Sequence, residues 1–173
     1  MALVFAMAAA GAADGPEYTS DGRMNFPRDY RQWVFLSSGL GMTYGPLASN
    51  SEPRFDNVFV NPSAYQKFLE TGTWPDGTAM VLEVRGSQSK GSINQGGHFQ
   101  GDVVGVEVHV KDGKRFPRKW AFFGFQGEGP AKPIPTGSNC FTCHEQHGAV
   151  DTTFVQFYPT LILVAKAHGA LKP

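Results

Sequence analysis

Apolar and polar residues alternate most cleanly in "DVVGVEVHVKDGKRF". Val104, Val106, Val108 and Val110 fall on one face of a strand there, and Glu107, His109 and Lys111 on the other. The pattern predicts a strand with its valines in the core and its polar row, His109 included, in solvent. "AMVLEVRG" repeats the period, with Met80, Leu82 and Val84 on one face and Glu83 and Arg85 opposite. Glu83 is accordingly expected to be a surface charge. "KWAFFGF" reads as another strand and "RFDNVFVN" as one at Asn57 to Val60. "FPRDYRQWVFLSSG" reads as a helical turn entered near Pro27 that runs into a strand carrying Trp33, Val34, Phe35 and Leu36.

After Val60 the period lengthens. Tyr65, Phe68 and Leu69 stand at i, i+3 and i+4, which predicts a helix with Asn61 as N-cap, Pro62 in its first position and Gly72 as its stop. "WPDGT" is a turn, because Asp-Gly supplies the positive φ of a tight reversal. Two Gly-rich polar stretches, "SQSKGSINQGG" and "QGEGPAKPIPTGSN", are loops, and the second delivers the chain to Cys140. "FVQFYPTLILVAKAHGAL" predicts a short C-terminal helix from Pro159. Several antiparallel strands with a few short helices define an α+β fold, mostly antiparallel sheet. No internal repeat or domain boundary is visible, and residues 14–173 read as one domain.

The N-terminus changes the expected location. Ala2 to Ala10 is an apolar run too short to span a bilayer, and Ala10-Gly11-Ala12 has the small-x-small form of a signal-peptidase site. A basic n-region is missing, and the alternative is a buried terminal segment. Residues 1–13 are expected to be a signal peptide or its remnant, and the mature protein to be soluble and periplasmic. Later segments are too short or too polar to be transmembrane, so no membrane partner is expected. Lys plus Arg and Asp plus Glu are both 15, with no basic stripe, which argues against nucleic acid as a partner. The 14 Phe suit a bulky apolar cofactor as well as an ordinary core.

The chemistry concentrates in "SNCFTCHEQHG", which holds the only two cysteines. Cys140, Cys143 and His144 form Cys-x-x-Cys-His, the c-type haem attachment motif: two thiols for two vinyl groups and an imidazole for the iron. A zinc site of Cys140, Cys143, His144 and His147 is the first rival, but structural zinc usually draws two ligand pairs from separate segments. A redox dithiol would expect a βαβ context, and a plain disulfide would not explain His144. The motif favours haem. For a sixth ligand, His98 is ambiguous, His168 suits a helix C-terminus, His147 is too near His144, and Met80 sits in an apolar row. The expectation is five-coordinate iron.

With these residues in view, the chain resembles the cytochrome P-460 family, including its cytochrome c′-β branch. "PRDYRQWVF", "VFVNPSAY" with "TGTWPDGT", "GDVVGVEVHVKDGKRF" with "WAFFGF", and "CFTCHEQHGAVDTTFVQFYPTL" carry the resemblance. It implies one covalently attached haem c per chain, His144 as proximal ligand, thioethers at Cys140 and Cys143, and a homodimer. The hydroxylamine-oxidising branch carries a lysine cross-linked to the haem, and in "DGTAMVLEV" Leu82 stands at that position. The arginine of that branch also has no counterpart, Asp56 standing there with Arg54 displaced by two. Lys67 and Lys90 read as solvated. Leu82, Met80 and Phe59 would then form an apolar distal wall. That pattern implies a binder of small diatomic gases such as NO or CO, with a redox partner protein if it also passes electrons. The rivals are an enzyme oxidising hydroxylamine, with Glu83 or Asp102 handling protons, and a six-coordinate electron carrier using Met80 or His98.

Overall fold

The computed structural model describes residues 14–43 and 52–173, so the expected signal peptide at residues 1–13 lies outside the described residues. Among the described residues, five strands form one antiparallel sheet in chain order: β1 (Val34–Leu40), β2 (Phe55–Val60), β3 (Ala79–Gln88), β4 (Phe99–Lys111) and β5 (Trp120–Phe125). A 3-10 turn, Tyr30–Gln32, leads into β1, and α1 (Pro62–Thr71) joins β2 to β3. After β5 come α2 (Asn139–His147) and α3 (Ile162–Ala167). The C-terminal helix starts three residues beyond Pro159, at Ile162, because residues 159–161 form a turn after the 3-10 turn at Val155–Phe157. The fold is the predicted α+β class. Among the described residues, no helix is long and apolar enough to cross a membrane.

Both faces of the sheet are covered along its central part, but the first half of β4 is not, and Val104, expected in the core, is exposed. Val60, Met80 and Trp120 pack under α1 and the C-terminal segment, against Phe68, Trp74, Val150, Val155, Tyr158 and Leu161. Val81, Val108, Val110 and Phe123 pack on the other face against Met24, Tyr30 and Ala131 of the N-terminal segment and a returning loop. Two cross-strand rows set the first face. One runs Val60, Met80, His109, Phe122 and the other Val58, Leu82, Glu107, Gly124. In antiparallel pairs such directly opposed residues point the same way.

The double cover corrects three expectations. Glu83 is 2% exposed and accepts hydrogen bonds from Tyr30 Oη, Arg31 Nε (2.9 Å) and Arg85 Nη1 (3.0 Å), so it is a buried anchor. His109 is 7% exposed, because the polar row of β4 faces the C-terminal layer. Phe59 pairs with Val81 and packs edge-on against Tyr30, on the face opposite Leu82. It therefore does not join Met80 and Leu82 in one wall.

Asn61 stands at the N-cap of α1 but turns its side chain to β3. Its Oδ1 accepts the Ala79 N–H at 2.8 Å, and its Nδ2 donates to Gly77 O at 3.2 Å. The helix end is capped instead by Asp14, whose carboxylate accepts the Ser63 N–H at 2.6 Å. Asn61→Ala is expected to cost about 1–3 kcal/mol, since it strands the buried Ala79 N–H. A urea midpoint lowered with an unchanged slope would register that loss.

Candidate functional site

The loop at residues 126–138 ends on Ser138, and α2 then carries Cys140, Cys143 and His144. One helical turn separates the two cysteines, and both thiols are free and partly buried. Phe141, buried between them in sequence, anchors the helix edge-on against Phe122 of β5 with ring centroids 4.9 Å apart. His144, one residue past Cys143, turns toward the sheet and meets Phe122 (4.7 Å between centroids), His109 (4.9 Å) and Phe154 (4.4 Å).

Its ring has a defined tautomer. Nδ1 lies 2.7 Å from the Thr152 carbonyl, which can only accept, so Nδ1 carries the proton and Nε2 keeps its lone pair. Burial holds His144 below the ordinary histidine range, partly offset by that hydrogen bond. Burial also pushes His109 well down, and the neighbouring His144 adds to the effect. Both imidazoles are neutral near pH 7.

A cavity of about 70 Å³ opens between His144 and the sheet. Val58, Met80, Leu82, Glu107, His109 and Phe122 line it from the strands, and Thr153, Phe154 and Tyr158 from the C-terminal segment. Leu82 and Met80 thus stand in the wall beside His144. Glu107 brings a carboxylate to the exposed rim directly across from Leu82, so the wall is not wholly apolar. Alternation alone puts both Glu107 and His109 in solvent: Glu107 is exposed as expected, while His109 is buried. The run Trp120-Ala-Phe-Phe-Gly-Phe125 held the contrary signal. A strand apolar on both faces is covered on both, and its neighbour shares that cover.

The other candidates lie elsewhere. His98 is near Glu52 at 4.0 Å, His147 is exposed at the end of α2, and His168 caps α3. Lys67 pairs with Glu70 on the exposed face of α1, and Lys90 and Asp102 are exposed. An open groove of about 670 Å³ on the N-terminal side contains none of these residues. Among the described residues, no three His, Cys, Asp or Glu side chains converge as a metal cluster, so the zinc set of Cys140, Cys143, His144 and His147 does not assemble.

The donor set does fit a haem. Two free thiols stand one turn apart, and the adjacent imidazole has a fixed tautomer and a bare Nε2. The gap beside His144, about 70 Å³, is smaller than a macrocycle, so the side chains that close on that ring would have to part to admit one. No curated protein matches the chain at a significant level of sequence similarity. The family model for cytochrome P-460, however, matches residues 27–155, from the segment before β1 through the Cys140–His144 stretch to Val155. The chain belongs to the cytochrome P-460 family of haem-binding cytochromes.

Proposed function

We propose that the protein is a periplasmic mono-haem c-type cytochrome that binds small uncharged gases such as NO or CO. In this reading Cys140 and Cys143 hold the haem as thioethers and His144 ligates its iron. The haem supplies an open coordination position. The single observation that carries the reading is Leu82, an aliphatic side chain in the wall facing His144. Leucine forms no covalent bond to a macrocycle, and it leaves that position without an amine.

The chain's own residues then act by exclusion. Met80, Leu82 and Val58 present apolar surface that costs a neutral diatomic little and opposes an anion that must shed its water. His144, held neutral, keeps the lone pair a ligand requires. The apolar leader at residues 1–13 supports export, and the resemblance supports a homodimer and a redox partner protein.

Glu107 favours a second reading, oxidation of hydroxylamine. A carboxylate at the rim opposite Leu82 can accept protons from a substrate in the cavity. The ferrous optical spectrum separates the two. A five-coordinate high-spin spectrum that shifts on adding CO or NO is the expected result. A far red-shifted Soret band, with a third protein attachment in the haem peptide, would overturn it. A low-spin six-coordinate spectrum would also overturn it and direct attention to Met80 or His109 as the sixth ligand.

A further inference from the structure

The turn that follows α2 is held from two sides. Val150 and Thr153 close it through a backbone hydrogen bond from Thr153 N to Val150 O at 2.9 Å, and Thr153 Oγ1 also donates to Val150 O at 2.8 Å. Asp151 sits in the left-handed region at φ 52°, where aspartate and asparagine are tolerated. The buried Trp74 indole N–H donates to Thr153 Oγ1 at 2.9 Å. Lys111, at the end of β4, donates to both the Trp74 carbonyl and the Asp151 carboxylate, each at 2.8 Å. Two residues earlier on the same face of β4, His109 Nε2 lies 3.3 Å from Thr152 Oγ1.

The turn also presses on α2 more closely than a side chain would allow. A Cβ on Gly148 would lie 2.7 Å from His144 O and from the Thr152 carbonyl carbon, and 2.8 Å from Thr153 N. These contacts bring the Thr152 carbonyl to His144 Nδ1.

We infer that residues 148–153 form a strap that sets the orientation and basicity of the His144 imidazole, with Lys111 and Asp151 as the positioning pair that ties it to the sheet. The inference rests on His144 being the iron ligand. A proton donated from Nδ1 to a carbonyl makes the imidazole a stronger donor to a metal, and such outer partners commonly change metal binding or activity by about 10–100-fold. A slack strap lengthens that hydrogen bond, weakens the donor and disfavours ferric iron.

Lys111→Met, Asp151→Asn and the double variant test this in the haem-loaded protein. Asparagine keeps the left-handed turn while removing the charge, so Asp151→Asn separates the ion pair from backbone preference. Each single variant should lower the ferrous iron–histidine stretching frequency. Each should also raise the midpoint potential by about 59 mV, the equivalent of a tenfold loss of ferric preference. The double variant should move no further than either single one, because the two residues act as a unit. A wild-type band that stays in place in folded, loaded variants, at unchanged potential, overturns the strap alone. No iron–histidine band in the wild type overturns the ligand assignment beneath it.

Discussion

Glu83→Ala is expected to cost about 3–5 kcal/mol, a large part of the roughly 5–15 kcal/mol that holds an ordinary domain together. The carboxylate is 2% exposed and joins elements far apart in the chain. Tyr30 and Arg31 reach it from the turn before β1, Asn57 Nδ2 from β2 at 3.4 Å, and Arg85 from β3 itself. Removing it leaves the buried Tyr30 hydroxyl without this acceptor and two guanidinium groups facing each other across a hole. Arg31 is half-exposed and can turn to water, which places the loss nearer the lower end of that range. Urea unfolding measures it, and a loss below about 1 kcal/mol would contradict the anchor role.

The same group predicts an acid limb in stability. Burial raises the Glu83 pKa, but hydrogen bonds from Tyr30, Arg31 and Arg85 outweigh it, and the net displacement is downward. A depressed folded-state value means the unfolded chain takes up the proton first as pH falls. The stabilisation is complete above the ordinary glutamate value of about 4.3 and disappears as pH drops through the lower folded value. Glu83→Gln should flatten that limb while keeping part of the hydrogen bonding.

His144→Gly is the second large effect. On the proposed haem assignment, covalent attachment through Cys140 and Cys143 should survive, since neither thioether would need the imidazole. The iron, however, loses the only side chain that the motif itself offers it. The iron–histidine band should vanish, and CO binding should change by roughly 100-fold or more, beyond the range seen for outer partners. Added imidazole should restore the band by occupying the vacated position. A spectrum unchanged by the substitution would remove His144 from the site.

Legibility in the sequence followed the range of the chemistry. Cys140, Cys143 and His144 are readable as a motif because they fall within about one turn of a single helix. Met80 and Leu82 are readable as sharing a face, because strand geometry alone dictates that. Whether a face is covered is a property of its neighbours, and there alternation misled. Glu83 and His109 carry polar side chains into covered layers, and Phe59 turns from the cavity because it alternates with Val58 and Val60. Residues 148–153 were still harder to read. The group that matters there is the Thr152 carbonyl, and a backbone acceptor has no residue signature.

Chain order and sheet order coincide in this protein, and each strand pairs with its predecessor. A chain that crosses a membrane N-terminus first, as the proposed export requires, releases the whole meander, through Phe125, before the helix at Asn139 emerges. Hairpins of low sequence separation close early, so the wall can be standing while the two thiols are still on a trailing, accessible tail. On the proposed reading, prosthetic-group attachment would then be the closing step of maturation: the modified tail would dock onto a finished sheet, with the Lys111–Asp151 contact among the last to form.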